Sequence, residues 1–191
     1  MALKIISAVG RNLELGKKDG VGSGGKKSGN GGMCWHLSGD LKNFKKVTGK
    51  DPMVMGENTF RTLPALLPGR KHIVLTLDKT SEFPDEVEVF YSLDDFLEKY
   101  KNVDAAKIER SEITTSQPKE NEEVIWVIGG GQMYKLFLPY ATEMYLTEVD
   151  AEDKEADVFF PEFDKNEFEK EITGEGEDKG IKYSFVKYTR R

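Results

Sequence analysis

The residues that could do chemistry in this chain are few, and the first is an acid in the wrong company. Asp40 stands in "WHLSGDLKNFKK" (35–46), where Leu37, Leu41, Phe44 and Val47 recur at helical spacing. A carboxylate on the inner face of such a helix is costly unless it binds something. Asp40 therefore reads either as a solvated position near a loosely bounded helix start, or as the floor of an apolar pocket for a cationic or amidine-like ligand. Arg70, in "LPGRKHIVLT" (67–76), lies between a turn and a strand. It is either an ordinary surface cation or a bidentate clamp on a carboxylate at the mouth of a cleft. "VIGGGQMY" (127–134) sets three glycines between a strand and a helix. Glycines let a phosphate approach the backbone and the first helical N–H groups face it; the plainer reading is a tight turn without a ligand. It is not the dinucleotide fingerprint, because Tyr134 stands where the last glycine would be.

Other candidates are weaker. Cys34 and His36 flank Trp35, but with two histidines and one cysteine in the chain, a Cys–His pair or a metal centre is disfavoured and no metal is expected. His72 reads as a strand-edge residue. "DGVGSGGKKSGN" (19–30) comes within one residue of a P-loop, yet Lys27 occupies the place of the Mg²⁺-binding hydroxyl and "SGNGG" follows where a helix should open. It reads as a glycine- and lysine-rich insertion.

The elements that must position these residues follow from pattern. "LKIISAV" (3–9) is a continuous apolar run suited to a strand covered on both faces. A helix is expected over 37–49, a short strand at 52–55, a short helix at 57–64 ended by Pro64, and strands at "HIVLTL" and "VEVF" (87–90). "SLDDFLEKY" (92–100) is a helix with Ser92 as N-cap. Residues 101–123 are polar and without period, a surface excursion. "VIWVIGGGQMYKLFLP" gives a strand, a turn and a helix ended by Pro139, and "EMYLTEVD" another strand. The tail, from Phe168, alternates on both sides of a glycine-rich turn as a hairpin does. The expected fold is α/β, one domain over residues 1–191: a mostly parallel central sheet of about eight strands, an antiparallel C-terminal strand and flanking helices.

The bulk numbers agree with that size: 191 residues suit one domain. The 28 basic and 34 acidic residues leave a net charge of −6, which offers nucleic acid or an anionic membrane nothing to bind. A single cysteine suits a reducing compartment, no apolar run is long enough to span a bilayer, and "MALKIISAVGRN" reads as a first strand rather than a signal peptide. A cytoplasmic protein is expected.

Taken in order, the segments resemble dihydrofolate reductase. "IISAV" with Leu15-Gly16 is similar to the family's first strand and the start of its active-site loop, and "W-H-L-x-x-D-L-K-x-F-K" to the end of that loop and the folate-binding helix. "MVMGENTF", "LPGRKHIVLT", "VIGGGQMY", "MYLTEVDA" and "ADVFFP" continue the series from residue 3 to 161 and into the hairpin. The resemblance implies reduction of 7,8-dihydrofolate to tetrahydrofolate by hydride transfer from NADPH, serving one-carbon metabolism and thymidylate synthesis. It implies Asp40 as the pterin-binding carboxylate with Trp35 packed beside the ring, and Ile6, Ala8, Leu41, Phe44, Leu63, Leu67, Ile128 and Tyr134 around the substrate. Thr147 supports Asp40, and Arg70 holds the carboxylate tail. On the cofactor side it implies Ala8, Leu15, Gly16, Gly56, Asn58, Thr59, Thr76, Leu77, Gly129, Gly130, Gly131, Gln132, Met133 and Tyr134. It further implies binding of diaminopyrimidine antifolates and a monomer.

The chain departs from the family in four places. Cys34 replaces a proline before the loop tryptophan, and Ser38 another after it. Glu57 and Leu77 replace the basic residues that read the 2′-phosphate of NADPH, so NADH use is compatible with the sequence. The loop between Gly16 and Trp35 is expanded to 18 residues (17–34), with seven glycines between 17 and 32; it is expected to gate ligand exchange. Nothing after the hairpin is left for a fused thymidylate synthase. The other readings are the reductase domain of riboflavin biosynthesis, a P-loop module resting on 19–30, and an idle folate- or nucleotide-binding protein.

Overall fold

The structure is a computed structural model and describes residues 1–18, 32–100 and 123–191. The stretch 19–30 and nearly all of the polar excursion at 101–123 lie outside the described residues.

The strands are β1 (Ala2–Val9), β2 (Glu14–Gly16), β3 (Met53–Gly56), β4 (His72–Leu75), β5 (Val87–Phe90), β6 (Val124–Val127), β7 (Ala141–Val149), β8 (Val158–Phe159), β9 (Phe168–Asp178) and β10 (Ile181–Arg190). The helices are α1 (Ser38–Thr48), α2 (Glu57–Thr62), α3 (Leu93–Lys99) and α4 (Gly131–Phe137), with 3-10 turns at Leu138–Tyr140 and Lys165–Glu167. Eight strands form one sheet in the order β5-β4-β3-β6-β1-β7-β10-β9. All its neighbouring strands run parallel except at β10, which is antiparallel to both β7 and β9. The expected fold class is therefore the observed one.

The unbroken apolar runs are explained by burial on both faces. Leu3, Ile5, Val54, Ile73, Ile125 and Val127 join Phe96 of α3 and Phe137 of α4 in one cluster. Ile6, Met53, Met55, Val74 and Trp126 form the other, against which Phe44 and Val47 of α1 pack. The rings of Phe96 and Phe137 meet edge-on at 5.2 Å, which ties α3 to α4. Helix α3 opens as its sequence requires: Ser92 Oγ accepts the Asp95 N–H at 3.1 Å. Ser92→Ala removes that cap and is expected to lower stability by about 1 kcal/mol, read from the midpoint of a denaturant titration.

Two expectations are corrected. His72 is not at a strand edge but buried in β4, between Met53 of β3 and Val87 of β5. The glycine-rich "GEGED" is not the hairpin turn: it stays in β9, and the chain reverses at Lys179-Gly180, both with positive φ. Gly176 and Gly174 lie opposite Tyr183 and Phe185, and a Cβ on Gly176 would stand 2.5 Å from the Tyr183 ring. The glycines make room for aromatic rings rather than for a turn. One element was not anticipated: a small two-stranded sheet in which β2 runs antiparallel to β8.

Candidate active site

In an open parallel sheet, ligands bind beyond the carboxyl ends of the strands where the strand order reverses. Here the chain leaves β1 for β3, returns with β6 between them, and then places β7 on the far side of β1. The ends of β1, β3, β4 and β6 thus bring Ala8, Gly56, Thr76 and Ile128–Gly131 to one side of the sheet.

Asp40 lies in the first turn of α1. Its Oδ1 accepts a hydrogen bond from Thr147 Oγ1 at 2.6 Å. Thr147 is buried in β7, flanked by Ala8 of β1 and Phe185 of β10. Burial pushes the Asp40 carboxyl above its ordinary range, and the Thr147 hydroxyl pulls it partly back. The carboxylate also acts on two phenols: Tyr134 and Tyr183 are both raised, mainly by burial and additionally by the negative charge of Asp40. Tyr134 donates to the Ile6 carbonyl at 3.0 Å. The Tyr183 ring lies so close under α1 that a Cβ on Gly39 would fall 1.9 Å from its oxygen.

Around this acid the fold gathers many of the expected apolar residues. Ile6 is buried in the second cluster, and Phe44, Leu63, Leu67 and Ile128 all pack against that cluster. Ala8 belongs instead with Trp35, Leu37, Val149 and Tyr183. The Trp35 indole N–H donates to the Glu14 carbonyl at 3.1 Å, which fixes the ring at the end of the active-site loop. Leu41, expected on the inner face, is 42% exposed and joins none of the clusters.

Arg70 follows a Pro68-Gly69 turn in which Gly69 has φ +70°, the conformation that favours glycine there. Its Nη1 donates to Thr48 Oγ1 at 2.6 Å, at the C-terminal end of α1, and its guanidinium lies 5.8 Å from the Phe44 ring centre. One arm of the fork is thus anchored to the helix that carries Asp40.

The glycine turn is tightly built. The Gly56 N–H donates to the Gly129 carbonyl at 2.8 Å, joining the ends of β3 and β6. Gly129 has φ +124° and the Gly129–Gly130 peptide is cis. A Cβ at Gly130 would contact the Thr59 hydroxyl at 3.4 Å, and one at Gly56 the Met133 side chain at 3.3 Å. A Cβ at Gly131 would lie 2.9 Å from Val158 and 3.8 Å from Leu15. The small β2·β8 sheet therefore sits over the start of α4 and brings Leu15 to Gly131, with Gly16 paired to Val158. Asn58 and Gln132 are exposed beside the turn.

Thr76 and Leu77 are placed differently from one another. Leu77 is 91% exposed. Thr76 Oγ1 donates to Glu57 Oε2 at 2.7 Å, while Ser81 Oγ and Arg61 Nη2 bond Glu57 Oε1 at 2.7 and 3.2 Å. These bonds, led by those from Thr76 and Ser81, hold the Glu57 carboxyl below its ordinary range. Glu57 is thus a fixed anion beside the cofactor-side residues, and its role as the centre of a network was not readable from its neighbours in sequence. Ser81, 24 residues away, was the partner to find. Gly39 and Tyr183 were also missed, because their meeting is purely tertiary.

The loop stems are pinned. Lys17 Nζ bonds Glu155 at 2.7 Å, the Lys17 N–H reaches the Gly32 carbonyl at 2.7 Å, and the Cys34 N–H reaches the Leu15 carbonyl at 3.0 Å. Burial, chiefly, pushes the Cys34 thiol up to about 12, so it holds its proton and is no nucleophile at neutral pH.

A buried acid held by a threonine, and a tight glycine turn at the strand ends of an open, mostly parallel sheet, are the features of a ligand-binding α/β domain. The comparisons with known proteins name the family. The model for dihydrofolate reductase matches residues 3–190. The dihydrofolate reductase of Bacillus subtilis (strain 168) is 34% identical over 162 residues, covering 83% of this chain and 84% of the relative. HdrB, a dihydrofolate reductase of Haloferax volcanii, is 30% identical over 98% of this chain and 82% of its own length, and the Neisseria gonorrhoeae enzyme 30% over 98% of both. The chain belongs to the dihydrofolate reductase family. It is an oxidoreductase that reduces dihydrofolate to tetrahydrofolate with a nicotinamide cofactor.

Proposed function

We propose that Asp40 is the group on which substrate reduction turns, with Arg70 and the Gly129–Gly131 turn holding the two ends of the reacting pair. The buried Asp40–Thr147 hydrogen bond carries this reading. A carboxylate fixed from one side keeps its other lone pairs for the 2-amino group and ring nitrogen of the pterin. As the ring gains its proton at N5, positive charge develops on it, and Asp40 stabilises that charge without itself reaching N5; water delivers the proton. Ile6, Ala8, Leu41, Phe44, Leu63, Leu67, Ile128 and Tyr134 flank the ring and the aminobenzoyl group, and Trp35 packs beside the pterin. Arg70, anchored on Thr48, offers its remaining N–H groups to the carboxylate tail.

The cofactor supplies the hydride. The residues fit it: Gly129, at φ +124°, and Gly131, where a Cβ would stand 2.9 Å from Val158, both disfavour a side chain, which leaves the backbone of the turn bare for a phosphate. Leu15, Gly16, Gly56, Asn58, Thr59, Gln132 and Met133 border it. The chain's role is to orient the two rings and exclude water between them.

We assign NADPH as the cofactor, with NADH also accepted. Glu57, held ionised by Thr76 and Ser81, repels a nearby phosphate dianion, and Arg61 is already committed to Glu57 and to the Glu82 carbonyl at 2.8 Å. The kcat/KM ratio of NADPH over NADH is expected to lie above one in the natural chain and to rise at least about tenfold in Glu57→Arg. A ratio near one or below in the natural chain contradicts the assignment. Residues 1–191 act as one catalytic unit in which 17–34 is the active-site loop and 101–123 a surface insertion. A cytoplasmic monomer bound by diaminopyrimidine antifolates completes the proposal; no described helix is long and apolar enough to cross a membrane. Loss of near-ultraviolet absorbance of reduced nicotinamide on mixing with dihydrofolate tests the activity, and tight diaminopyrimidine binding that disappears in Asp40→Asn tests the site.

A further inference from the structure

His72 is a buried titratable group that the reaction does not use. It opens β4 one residue after the Leu67-Pro68-Gly69-Arg70 turn. Its Nε2 accepts the Leu67 N–H at 3.0 Å, and the Arg70 backbone is near enough to act on the ring. Only the neutral imidazole offers the acceptor that Leu67 uses, and so ties the start of the turn to the strand that follows it. The turn carries two substrate-side residues, Leu67 on the apolar wall and Arg70 at the mouth. Arg70 in turn aims its guanidinium at Thr48 Oγ1, at 2.6 Å, so an error of backbone direction at residue 70 is amplified along a long side chain.

We propose that His72 is a positioning residue for substrate binding: by closing the Leu67–Arg70 turn it sets the direction in which Arg70 is offered to a ligand carrying a carboxylate. This rests on the reading of Arg70 as the group that holds the substrate's tail. Protonation of the ring turns Nε2 into a donor that faces the Leu67 N–H donor, and so opens the turn. The groups around His72 oppose protonation. Its register partners, Met53 on β3 and Val87 on β5, do not titrate. Lys71, the residue just before β4, bonds Glu88 at 2.5 Å. The charged group acting on the ring is Arg70, and burial, with the Arg70 charge, holds the imidazole below its ordinary 6.5. A depressed histidine contributes stability that is present above 6.5 and is lost as pH falls through its lowered folded value. The closed turn therefore belongs to neutral and alkaline solution.

The test compares two probes on the full chain by fluorescence titration: folate, which carries the glutamate tail, and a simple methylpterin, which does not. Both report on Asp40 equally, so the ratio of their affinities reports the aminobenzoyl-glutamate part, and the share lost in Arg70→Leu is that of the carboxylate tail. His72→Leu is expected to shrink that ratio about tenfold while the methylpterin affinity moves less than about twofold. His72→Gln, whose amide can accept from Leu67 and donate to a carbonyl, is expected to restore it. Equal weakening of both probes, or an unmoved ratio, overturns the proposal. If His72→Leu does not fold, the same ratio is followed on the natural chain from about pH 7.5 down to the acid limit of the folded state, where it should fall at some pH below 6.5, and on His72→Gln, where it should not. Arg70→Leu separates the two levels of the argument. A ratio that collapses there but not in His72→Leu refutes the role of His72 alone; a ratio that survives Arg70→Leu refutes the reading of Arg70 and this proposal with it.

Discussion

Asp40→Asn is expected to fold and to lose roughly a hundredfold or more of its turnover on dihydrofolate at neutral pH. The substitution keeps the shape of the side chain and an oxygen to accept the Thr147 hydroxyl, which stands 2.6 Å from Oδ1. What it removes is the negative charge in a desolvated site, and that charge is worth most in the transition state, when the pterin ring becomes cationic. Near-normal turnover would remove Asp40 from the mechanism.

The same substitution has a stability consequence of opposite sign. Burial raises the Asp40 carboxyl above its model-compound value of 3.8. A carboxyl raised on folding binds its proton more tightly in the native state, so its stabilising contribution is complete below 3.8 and is lost as pH climbs through the raised native value. At neutral pH the chain carries this acid at a cost. Asp40→Asn should therefore melt at or above the temperature of the natural chain at pH 7, with the gain shrinking in acid. An enzyme less active and no less stable is the signature of a residue retained for chemistry. A thermal melt at two pH values checks the sign.

The second large effect is expected at Gly129. With φ at +124°, this residue occupies backbone space that is essentially closed to L side chains. A Cβ there would also stand 3.3 Å from the Tyr134 oxygen and 3.5 Å from the Thr59 hydroxyl. Gly129→Ala must either hold a strained backbone or shift it, and a shift breaks the 2.8 Å bond from the Gly56 N–H and disturbs Tyr134, whose hydroxyl reaches the Ile6 carbonyl. A loss of about 1–3 kcal/mol is expected, along with at least about a tenfold loss of cofactor affinity, because the cradle and the strain occupy the same backbone. Melting temperature and quenching of tryptophan fluorescence by the reduced cofactor measure the two effects separately. A variant that melts lower but binds cofactor normally would show the turn to be structural alone.

The residues that carry these two effects were legible in different degrees. Asp40 stood out because an acid inside an apolar helical rhythm needs a reason, and the three glycines between a strand and a helix marked a close approach. The strands of the buried sheet were legible for a physical reason too: a strand covered on both faces must be apolar throughout, and "LKIISAV" and "HIVL" are. Ser92 announced its helix because an N-cap is a local contact, three residues long. Where cause and effect lie close together along the chain, sequence reading succeeded.

It failed where a residue's role depends on a distant one. "GEGED" reads as a turn by composition; it is a strand because Tyr183 and Phe185, across the hairpin, need the space over Gly176 and Gly174. Strand β2 is three residues long and exists through β8, more than 140 residues later. Leu41 shares the apolar rhythm of α1 but not its packing: α1 rests on the sheet through Phe44 and Val47, and Leu41 stays 42% exposed outside the core clusters. His72 looked like an edge residue because a lone polar side chain at a strand start usually is, and only the register of β3 and β5 on either side buries it. Glu57 was legible as a missing basic residue, but its ties to Thr76 and Ser81 come from the packing of α2 against the end of β4.

By itself, then, the sequence determined the alternation of strands and helices, the family, and the acid, the arginine and the glycine turn on which the proposed chemistry rests, since these are set by residue type and local spacing. Tertiary structure alone decided which hydroxyl bonds Asp40, which hydroxyls hold Glu57, and which buried imidazole bonds the turn that carries Arg70. Hydrogen bonds between residues far apart in the chain leave no trace in local pattern and appear only when the sheet brings their strands together.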